Sequence, residues 1–318
     1  MIKGIGGIKM FDVVALGEIL IDFSPYGKED NGFNIFTQNP GGAPINLAAT
    51  ISSYGGKSAY IGKVGNDMFG IFLKEQLSKI GVDCSGIIFD KQYNTTLAFV
   101  ALNDKGDRDF NFYRKNEADI RLSPSEVSLD LINNCRIFHF GGLSMTEEPS
   151  RSATLFALEK AKQSGCIISF DPNYRKSLWE NEDLSVKITK TVLNKVDLLK
   201  ISEEEARMLT SENDLEVCCK KLLNYGISFI ALTLGDKGAM YATKNYIGYS
   251  PAYIAKTIDT TGAGDIFWGT FIHEYLKYNI DIKDKAAIES IIIKANKAAG
   301  LSTEKKGAIP SIPEYSIL

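Results

Sequence analysis

A repeating order of short apolar runs and amphipathic segments constrains the fold of this 318-residue chain more than any other feature. The runs are rich in valine, isoleucine and phenylalanine, and the segments between them carry apolar residues at helical spacing. Strands that alternate with helices predict a mostly parallel sheet covered by helices on both faces. The sequence therefore predicts an α/β fold with three layers, α/β/α.

Two hairpins interrupt this order. Strands are predicted over residues 11–16, 59–64, 137–140, 167–170, 196–201 and 229–233, and helices over 43–54, 69–80, 150–164, 186–194, 203–209, 215–225, 264–278 and 284–301. The hairpins are predicted over 95–113, with a turn-rich link at 103–107, and over 239–252. The first would belong to a small β-rich excursion built from about residues 20–40 and 92–115. No repeat or polar linker divides the chain, so residues 1–318 are predicted to form a single domain.

Composition narrows the classes of protein. Hydrophobic residues make up 44% of the chain and the net charge is -3, so a large core is available and no basic surface for nucleic acid is indicated. No segment has the length of a membrane span, and residues 1–10 are not typical of a signal peptide. The five cysteines form no C-x-x-C pair, which argues against a disulfide framework. We expect a cytoplasmic protein without nucleic-acid or membrane partners.

The segment Asp259-Thr260-Thr261-Gly262-Ala263-Gly264-Asp265 precedes an apolar helix. Its glycines allow a tight turn that exposes backbone amides, and the helix start attracts anions. Asp265, in the first helical turn, could take a proton from a hydroxyl while these amides hold a phosphoryl group. The alternative is an ordinary glycine turn in which Asp265 only caps the helix.

A second glycine segment, Gly41-Gly42-Ala43-Pro44-Ile45-Asn46, also opens a helix. Its glycines allow a ligand to approach the backbone, and the Asn46 amide can both donate and accept hydrogen bonds, as a polyol requires. The alternative is a loop-to-helix junction with Asn46 facing solvent.

Together these segments resemble the two signatures of the ribokinase-like (PfkB) carbohydrate kinases. The first segment, with the later Gly62-x-x-Gly65-x-Asp67-x-x-Gly70, resembles the N-terminal signature, and residues 259–265 resemble the C-terminal one. The resemblance extends over essentially the whole chain after Phe11. It implies a three-layer domain with a β-sheet lid over a sugar, and the hairpin at 95–113 is the natural lid.

The resemblance also implies roles around the sugar. Asp265 resembles the catalytic base, and its anion hole would be formed by Gly262, Ala263 and Gly264. The residues that resemble sugar ligands are Asp22, Gly41, Gly42, Asn46, Arg114 and Arg175. The two arginines resemble those that 2-keto-3-deoxygluconate kinases use for a carboxylate, which a guanidinium suits.

On the nucleotide side, the resemblance implies ATP and Mg²⁺ as cofactors. The residues expected beside ATP are Thr233, Gly235, Gly238 and Asn296. Glu205 resembles the acid of an Asn-x-x-Glu motif linked to magnesium and phosphate, although Ser202 replaces its asparagine. The family's potassium-binding loops correspond to Asp259, Thr261, Gly307 and Ser311, and some members do without this ion.

The sequence predicts the reaction, phosphoryl transfer from ATP to a hydroxyl group, more specifically than it predicts the substrate. Residues 171–175 and 306–311 look most like bacterial fructokinases, so transfer of the ATP γ-phosphoryl group to a primary hydroxyl of fructose is the first choice. A 2-keto-3-deoxygluconate kinase and an aminoimidazole riboside kinase are the alternatives. A non-catalytic sugar- or nucleotide-binding regulator and a dinucleotide-dependent dehydrogenase represent other classes. An exposed hairpin edge would allow a homodimer through the lid.

Overall fold

A nine-stranded sheet forms the centre of the structure, a computed structural model that describes residues 10–102 and 108–318. The predicted link at 103–107 and nearly all of the N-terminal segment 1–10 lie outside these residues. The strands of the described residues are β1 Phe11–Leu16, β2 Leu20–Lys28, β3 Asn34–Gly41, β4 Ser58–Gly65, β5 Asp83–Asp90, β6 Thr96–Leu102, β7 Arg108–Tyr113, β8 Cys135–Gly141, β9 Ile167–Asp171, β10 Leu198–Ser202, β11 Phe229–Thr233, β12 Gly238–Ala242 and β13 Ile247–Pro251.

The large sheet has the order β13-β12-β11-β10-β9-β8-β1-β4-β5. Neighbouring strands from β5 to β11 pair in parallel, whereas β12 and β13 pair antiparallel at one edge. The carboxyl ends of parallel strands meet at one edge of a sheet, which is where open α/β folds bind their ligands. The predicted mostly parallel sheet is therefore confirmed.

Helices cover both faces of this sheet. The α-helices of the described residues are α1 Ala43–Ser53, α2 Met68–Ile80, α3 Leu129–Asn133, α4 Ser150–Gln163, α5 Glu182–Lys190, α6 Glu203–Thr210, α7 Leu215–Leu223, α8 Ala263–Lys277 and α9 Lys285–Ser302. Val13 of β1 packs with Leu47 of α1 and Trp268 of α8. The next residue, Val14, packs with Leu158 of α4 on the opposite face. Because side chains of a strand alternate between faces, the apolar residues of β1 pack against helices on both sides of the sheet. The predicted three-layer fold is therefore confirmed.

A separate four-stranded sheet has the order β3-β2-β6-β7. One of its faces carries a stack of aromatic rings, with Phe23 and Phe99 at a centroid distance of 4.8 Å. The other face contributes Leu20, Asp22 and Phe112 to a cavity against the main sheet. The β-rich excursion expected from residues 20–40 and 92–115 has therefore formed a second sheet.

Strand β5 and helix α5 differ from the sequence predictions, and the short helix α3 was not predicted either. Strand β5 has no predicted counterpart, because its sequence DCSGIIFD begins with polar residues and glycine and lacks a clear apolar alternation. The helix predicted over 186–194 instead spans Glu182–Lys190, since the Asn181 side chain accepts a hydrogen bond from the Leu184 amide and caps it earlier. Within the described part of the chain, we find no helix with the length and apolarity needed to span a bilayer.

Candidate active site

Two cavities meet at the N-terminus of α8. The first has a volume of about 580 Å³ and lies between the main sheet and the second sheet. The other, of about 520 Å³, lies between α8, α9 and the β12–β13 edge. Gly262 and Asp265 line the first cavity, Ala263 and Gly264 line the second, and Thr260 lines both. The predicted glycine segment therefore separates two ligand-sized cavities by a single helical turn.

The start of α8 depends on Gly262. This residue precedes the helix with a φ of 75°, in the left-handed region that favours glycine. A Cβ atom here would lie 2.3 Å from the Ala308 Cβ. Asp265 is thus not the N-cap residue but lies in the first turn, so the alternative of a purely capping aspartate is wrong. The first amides of a helix have no acceptor within the helix, so they can serve a ligand.

Asn46 and Asp265 form the centre of the first cavity. The Asn46 Nδ2 atom donates to Asp265 Oδ2 at 2.8 Å, although 219 residues separate the two. Burial raises the pKa of Asp265 to about 6, against the lowering effects of Lys200, Asn46 and Arg175. Asn46 Oδ1 is buried without a hydrogen-bond partner. The site therefore holds a carboxylate that ionises near neutral pH beside an acceptor that is free for a hydroxyl donor.

Asp22 reaches the same cavity from the second sheet. Burial and the nearby charges of Asp265 and Asp259 raise its pKa to about 7, which Arg175 opposes. Gly41 leaves room for it, because a Cβ atom there would lie 2.2 Å from Asp22 Oδ2. The structure therefore brings the predicted carboxylate and glycine into direct contact.

Gly42 connects this region to α1. Its φ of 120° and the 2.4 Å between an added Cβ and the Glu18 carbonyl oxygen exclude a side chain. Glu18 lines the cavity but was not identified from the sequence. Its Oε1 atom accepts from the Ala43 amide at 2.9 Å, Oε2 is buried without a partner, and burial raises its pKa to about 7. An acidic residue two positions after the end of buried strand β1 was the available signal.

The two predicted arginines occupy different environments. Arg175 is half-buried and lines the first cavity, where its charge lowers the pKa of both Asp22 and Asp265. Arg114 is not among the residues that line either cavity. Its guanidinium donates to Asp119 at 2.6 Å, to Thr146 at 3.0 Å and to the Leu143 carbonyl at 2.9 Å. The prediction that Arg114 contacts the substrate is therefore not supported, because it is used within a buried network.

The second cavity contains the residues expected beside a nucleotide. Its lining includes Thr233, Gly235, Gly238 and Asn296. Asn296 donates to the carbonyls of Ser250 and Pro251 at 3.2 and 3.0 Å, so it fastens the end of β13 to α9. Apolar contact surface comes from Tyr253, Ala299 and Phe267. A flat heterocycle would fit such a lining.

Glu205 and Ser202 form a capping box at the start of α6. The Glu205 amide donates to Ser202 Oγ at 3.2 Å, and Glu205 Oε2 accepts from the Ser202 amide at 2.8 Å. Glu205 Oε1 accepts from the Tyr174 amide at 2.6 Å. Ser202 thus has a capping role in place of the family asparagine, and Glu205 connects α6 to the loop that carries Arg175.

Asp259 joins the two loops predicted to bind potassium. Its Oδ1 atom accepts from the Thr261 amide at 2.7 Å, and Oδ2 accepts from the Gly307 amide at 3.0 Å. Ser311 is buried and donates to the Ala308 carbonyl at 2.7 Å. The loops 259–261 and 307–311 are therefore adjacent beside Gly262, and they offer the oxygen ligands that hard cations take.

Lys200 is the second residue that the sequence reasoning missed. It lies in the middle of β10, is 7% exposed, and pairs with Asp171 at 2.8 Å. Its Nζ atom lies 3.1 Å from the position of a Cβ on Gly264. A lysine inside a buried strand is rare, and that position was the signal available in the sequence.

Comparison with known proteins agrees with this geometry. Residues 10–315 match the model of the pfkB family carbohydrate kinases. A curated relative, probable fructokinase-5 of Arabidopsis thaliana, is 39% identical over 307 residues, which cover 95% of this chain and 94% of the relative.

Solved structures show the same similarity. A fructokinase with bound ATP from Xylella fastidiosa has a TM-score of 0.89 at 28% identity, over 96% of this chain and 97% of that one. A double mutant of the fructokinase from Vibrio cholerae O395, bound to fructose, ADP and potassium ion, has a TM-score of 0.87 at 31% identity, over 98% of each chain. With a family model that spans nearly the whole chain and a sugar-sized and a nucleotide-sized cavity meeting at its signature helix, this protein belongs to the pfkB family of carbohydrate kinases.

Proposed function

We propose that this carbohydrate kinase transfers the γ-phosphoryl group of ATP to a primary hydroxyl of fructose, with Asp265 as the general base. The observation that carries this proposal is the position of Asp265 on the wall between the two cavities, hydrogen-bonded to Asn46. Fructose is supported by the relatives, since the curated ones and the two solved structures described above are named fructokinases.

Asp265 has the properties that a base for an alcohol needs. With a pKa of about 6 it is mostly ionised at neutral pH, yet it is more basic than an exposed aspartate. The carboxylate accepts the hydroxyl proton as the oxygen attacks the γ-phosphorus and the bond to the β-phosphate oxygen breaks. The amides at Gly262, Ala263 and Gly264 then hold the charged phosphoryl oxygens at the start of α8.

The sugar would be held by groups that now lack partners. Asn46 Oδ1 and Glu18 Oε2 are buried, unpaired acceptors of residues that line the first cavity. An unpaired buried acceptor costs free energy that a substrate hydroxyl can restore. Asp22 and Arg175 complete a ring of acceptors and one cation, which suits a polyol with several hydroxyl groups.

ATP would occupy the second cavity, with its phosphates directed toward α8. Thr233, Gly235 and Gly238 line the side of β11 and β12, and Asn296 lines the side of α9. The glycines admit the nucleotide close to the backbone. Gly264 belongs to this cavity and Asp265 to the other, so the γ-phosphoryl group would cross one helical turn between them.

Two metal ions belong to this proposal. Mg²⁺ would neutralise the ATP phosphates. Glu205 lines neither cavity and its oxygens each accept one backbone amide, so its remaining lone pairs would act on a hydrated ion from behind the cavity wall. K⁺ would bind where Asp259 joins Thr261 to the loop of Gly307 and Ser311. Its charge would support the glycine turn that opens α8.

The second sheet would act as the lid of a single domain spanning residues 1–318, and a second copy of the chain would pair with it. The support is an exposed apolar surface on this sheet: Phe33 is 70% exposed, Tyr26 66% and Tyr113 57%. Such patches mark interaction sites. The five cysteines are buried thiols outside any disulfide of the described residues, which fits a reducing cytoplasm.

A coupled ATP-consumption assay tests the function. Fructose, 2-keto-3-deoxygluconate and ribose are supplied with Mg²⁺, with K⁺ or with Na⁺ in its place. We expect the highest kcat/KM for fructose and stimulation by K⁺. A preference for the sugar acid would instead assign Arg175 to a carboxylate, and sugar binding without turnover would indicate a non-catalytic regulator.

Asp265→Asn tests the base. It should lower kcat by at least about 100-fold, the usual scale for a general base. The matched control is Asp183→Asn, on the exposed side of α5 and away from both cavities, which should keep wild-type kcat. Near-normal turnover by Asp265→Asn would remove this residue from the role.

A further inference from the structure

Lys200 is buried beneath the point where the two cavities meet. It points from β10 toward the first turn of α8, and its Nζ atom would lie 3.1 Å from a Cβ on Gly264. Its side chain is 8% exposed, and its ion-pair partner Asp171 is 3% exposed. Neither residue lines a cavity wall in the described chain. The pair therefore lies directly behind the backbone that would hold the phosphoryl group.

The N-terminus of α8 by itself disfavours a cation at this position. The N-terminus of a helix carries partial positive charge, so a buried ammonium beside it is repelled. Burial lowers the pKa of Lys200, but Asp171, Glu205 and Asp265 outweigh that effect and raise it, so the group stays charged. A buried ion pair is weak evidence for stability. A buried cation beside the positive end of a helix therefore points to a function with an anion.

We propose that Lys200 is a positioning residue for phosphoryl transfer: its fixed charge, held by Asp171 at 2.8 Å, strengthens the anion-attracting field of the α8 N-terminus and acts on the Asp265 carboxylate. This inference rests on the proposed kinase function. During transfer, charge spreads over the equatorial oxygens of the phosphoryl group. A cation behind the amides stabilises that charge without touching the substrate, and it costs no reorganisation because Asp171 already fixes it.

The pKa of Asp265 depends on all the charged groups that face it, and Lys200 is one of them. Lys200 and Arg175 lower its pKa, whereas burial and Asp171 raise it. The charged and hydrogen-bonding groups that face Asp265 are Lys200 from β10, Asp171 from β9, Arg175 from the loop after β9, Asn46 from α1 and Asp22 from β2. Removal of Lys200 leaves Asp171 uncompensated, so both changes act in the same direction on Asp265.

Lys200→Met tests the proposal. We expect kcat to fall by about 100-fold, the scale measured when one preorganised group is removed from a site of developing charge. The acid limb of the pH profile of kcat/KM should move to higher pH. The Kd of ADP, which lacks the γ-phosphate, should change by less than about 2-fold, as for any group that acts mainly on the transferring phosphoryl.

Two further variants separate function from folding. Lys200→Met/Asp171→Asn removes both charges and keeps an acceptor for the Asn173 amide, which now donates to Asp171 at 3.1 Å. Replacing a buried pair by neutral groups is often neutral for stability, so this protein should fold and still show the low kcat. Lys63→Met removes another largely buried lysine, which pairs with Asp90 and Glu126 at 2.8 Å, and should leave kcat within about 2-fold.

The outcomes are distinguishable. Wild-type kcat in the double variant would overturn the role of Lys200. So would an acid limb that does not move in Lys200→Met, or a loss of ADP affinity in Lys200→Met as large as its loss of kcat. A wild-type protein that phosphorylates no sugar would instead overturn the proposed function.

Discussion

Glu18 is predicted to reduce the stability of the folded protein at neutral pH. Its side chain is 2% exposed, and Oε2 has no hydrogen-bond partner. Burial raises the pKa of Glu18 from its ordinary value of 4.5 to about 7, although the Ala43 amide and the charge of Arg114 act in the opposite direction. The ionised form is therefore much less favourable in the folded chain than in the unfolded one.

The magnitude follows from linkage. Between about pH 4.5 and 7 the folded protein binds a proton at Glu18 that the unfolded chain has released, so stability is lost as the pH rises. At 1.36 kcal/mol per pH unit, the loss reaches about 3 kcal/mol above pH 7. Glu18→Gln removes the charge and keeps an oxygen that can accept from the Ala43 amide. Relative to wild type, its free energy of unfolding should therefore increase by about 3 kcal/mol between low and high pH.

Urea unfolding between pH 4 and pH 8.5 measures this difference. The free energies of unfolding of wild type and Glu18→Gln should differ by a constant amount below pH 4.5, and this difference should grow up to pH 7. The added difference corresponds to about 4 °C in Tm for a chain of this length. Glu75→Gln, on the exposed face of α2, is the control and should show no such divergence. A gap between Glu18→Gln and wild type that does not change with pH would refute the reasoning, because only a Glu18 that ionises equally readily in the folded and unfolded chain has no pH-dependent cost.

Three other substitutions probe the site. Asn46→Leu removes the hydrogen bond that favours ionised Asp265, so the acid limb of the pH profile of kcat/KM should move above its wild-type position near pH 6. An acid limb that does not move would show that Asn46 does not affect the pKa of the catalytic base. Arg175→Met should raise KM for fructose by about 10-fold with a smaller change in kcat, as expected for a group that binds the ground state and the transition state equally. Unchanged steady-state kinetics would show that the guanidinium does not contact the substrate. Gly262→Ala should lower the free energy of unfolding by about 2 kcal/mol. Adding Ala308→Gly should recover only part of it, and complete recovery in urea unfolding would show that the φ of 75° has no cost.

The sequence allowed prediction of the elements whose information is local. Buried parallel strands such as β1 and β11 read as nearly continuous apolar runs, and the helices between the strands show helical periodicity. Strand β5 could not be found in this way, because an edge strand needs fewer apolar residues and its sequence contains Asp83, Ser85 and Gly86. Its strand state depends on pairing with β4, which is a tertiary property.

The same distinction holds for the site. The two glycine segments were recognisable because backbone geometry limits which residues can occupy them. Lys200 and Glu18 were not, since their significance comes from where the folded chain places them. Arg114 is a different case, because only the family resemblance indicated a contact with the substrate. Strand β7 ends at Tyr113, and the Arg114 side chain turns inward to Asp119. A resemblance in sequence does not determine which way a side chain turns where a strand ends.

The distribution of charge between the two cavities would give the proposed transfer its direction. Among the described residues, the first cavity is lined by the carboxyl groups of Glu18, Asp22 and Asp265 with Arg175, whereas Asp236 is the one charged residue on the second. Carboxylates accept hydrogen bonds from sugar hydroxyls but repel a triphosphate. ATP would therefore be disfavoured in the first cavity, and the α8 N-terminus, with Lys200 behind it, would attract phosphate from the second. Under the proposed function, the acceptor hydroxyl and the γ-phosphoryl group would reach the first turn of α8 from different cavities, which suits in-line transfer.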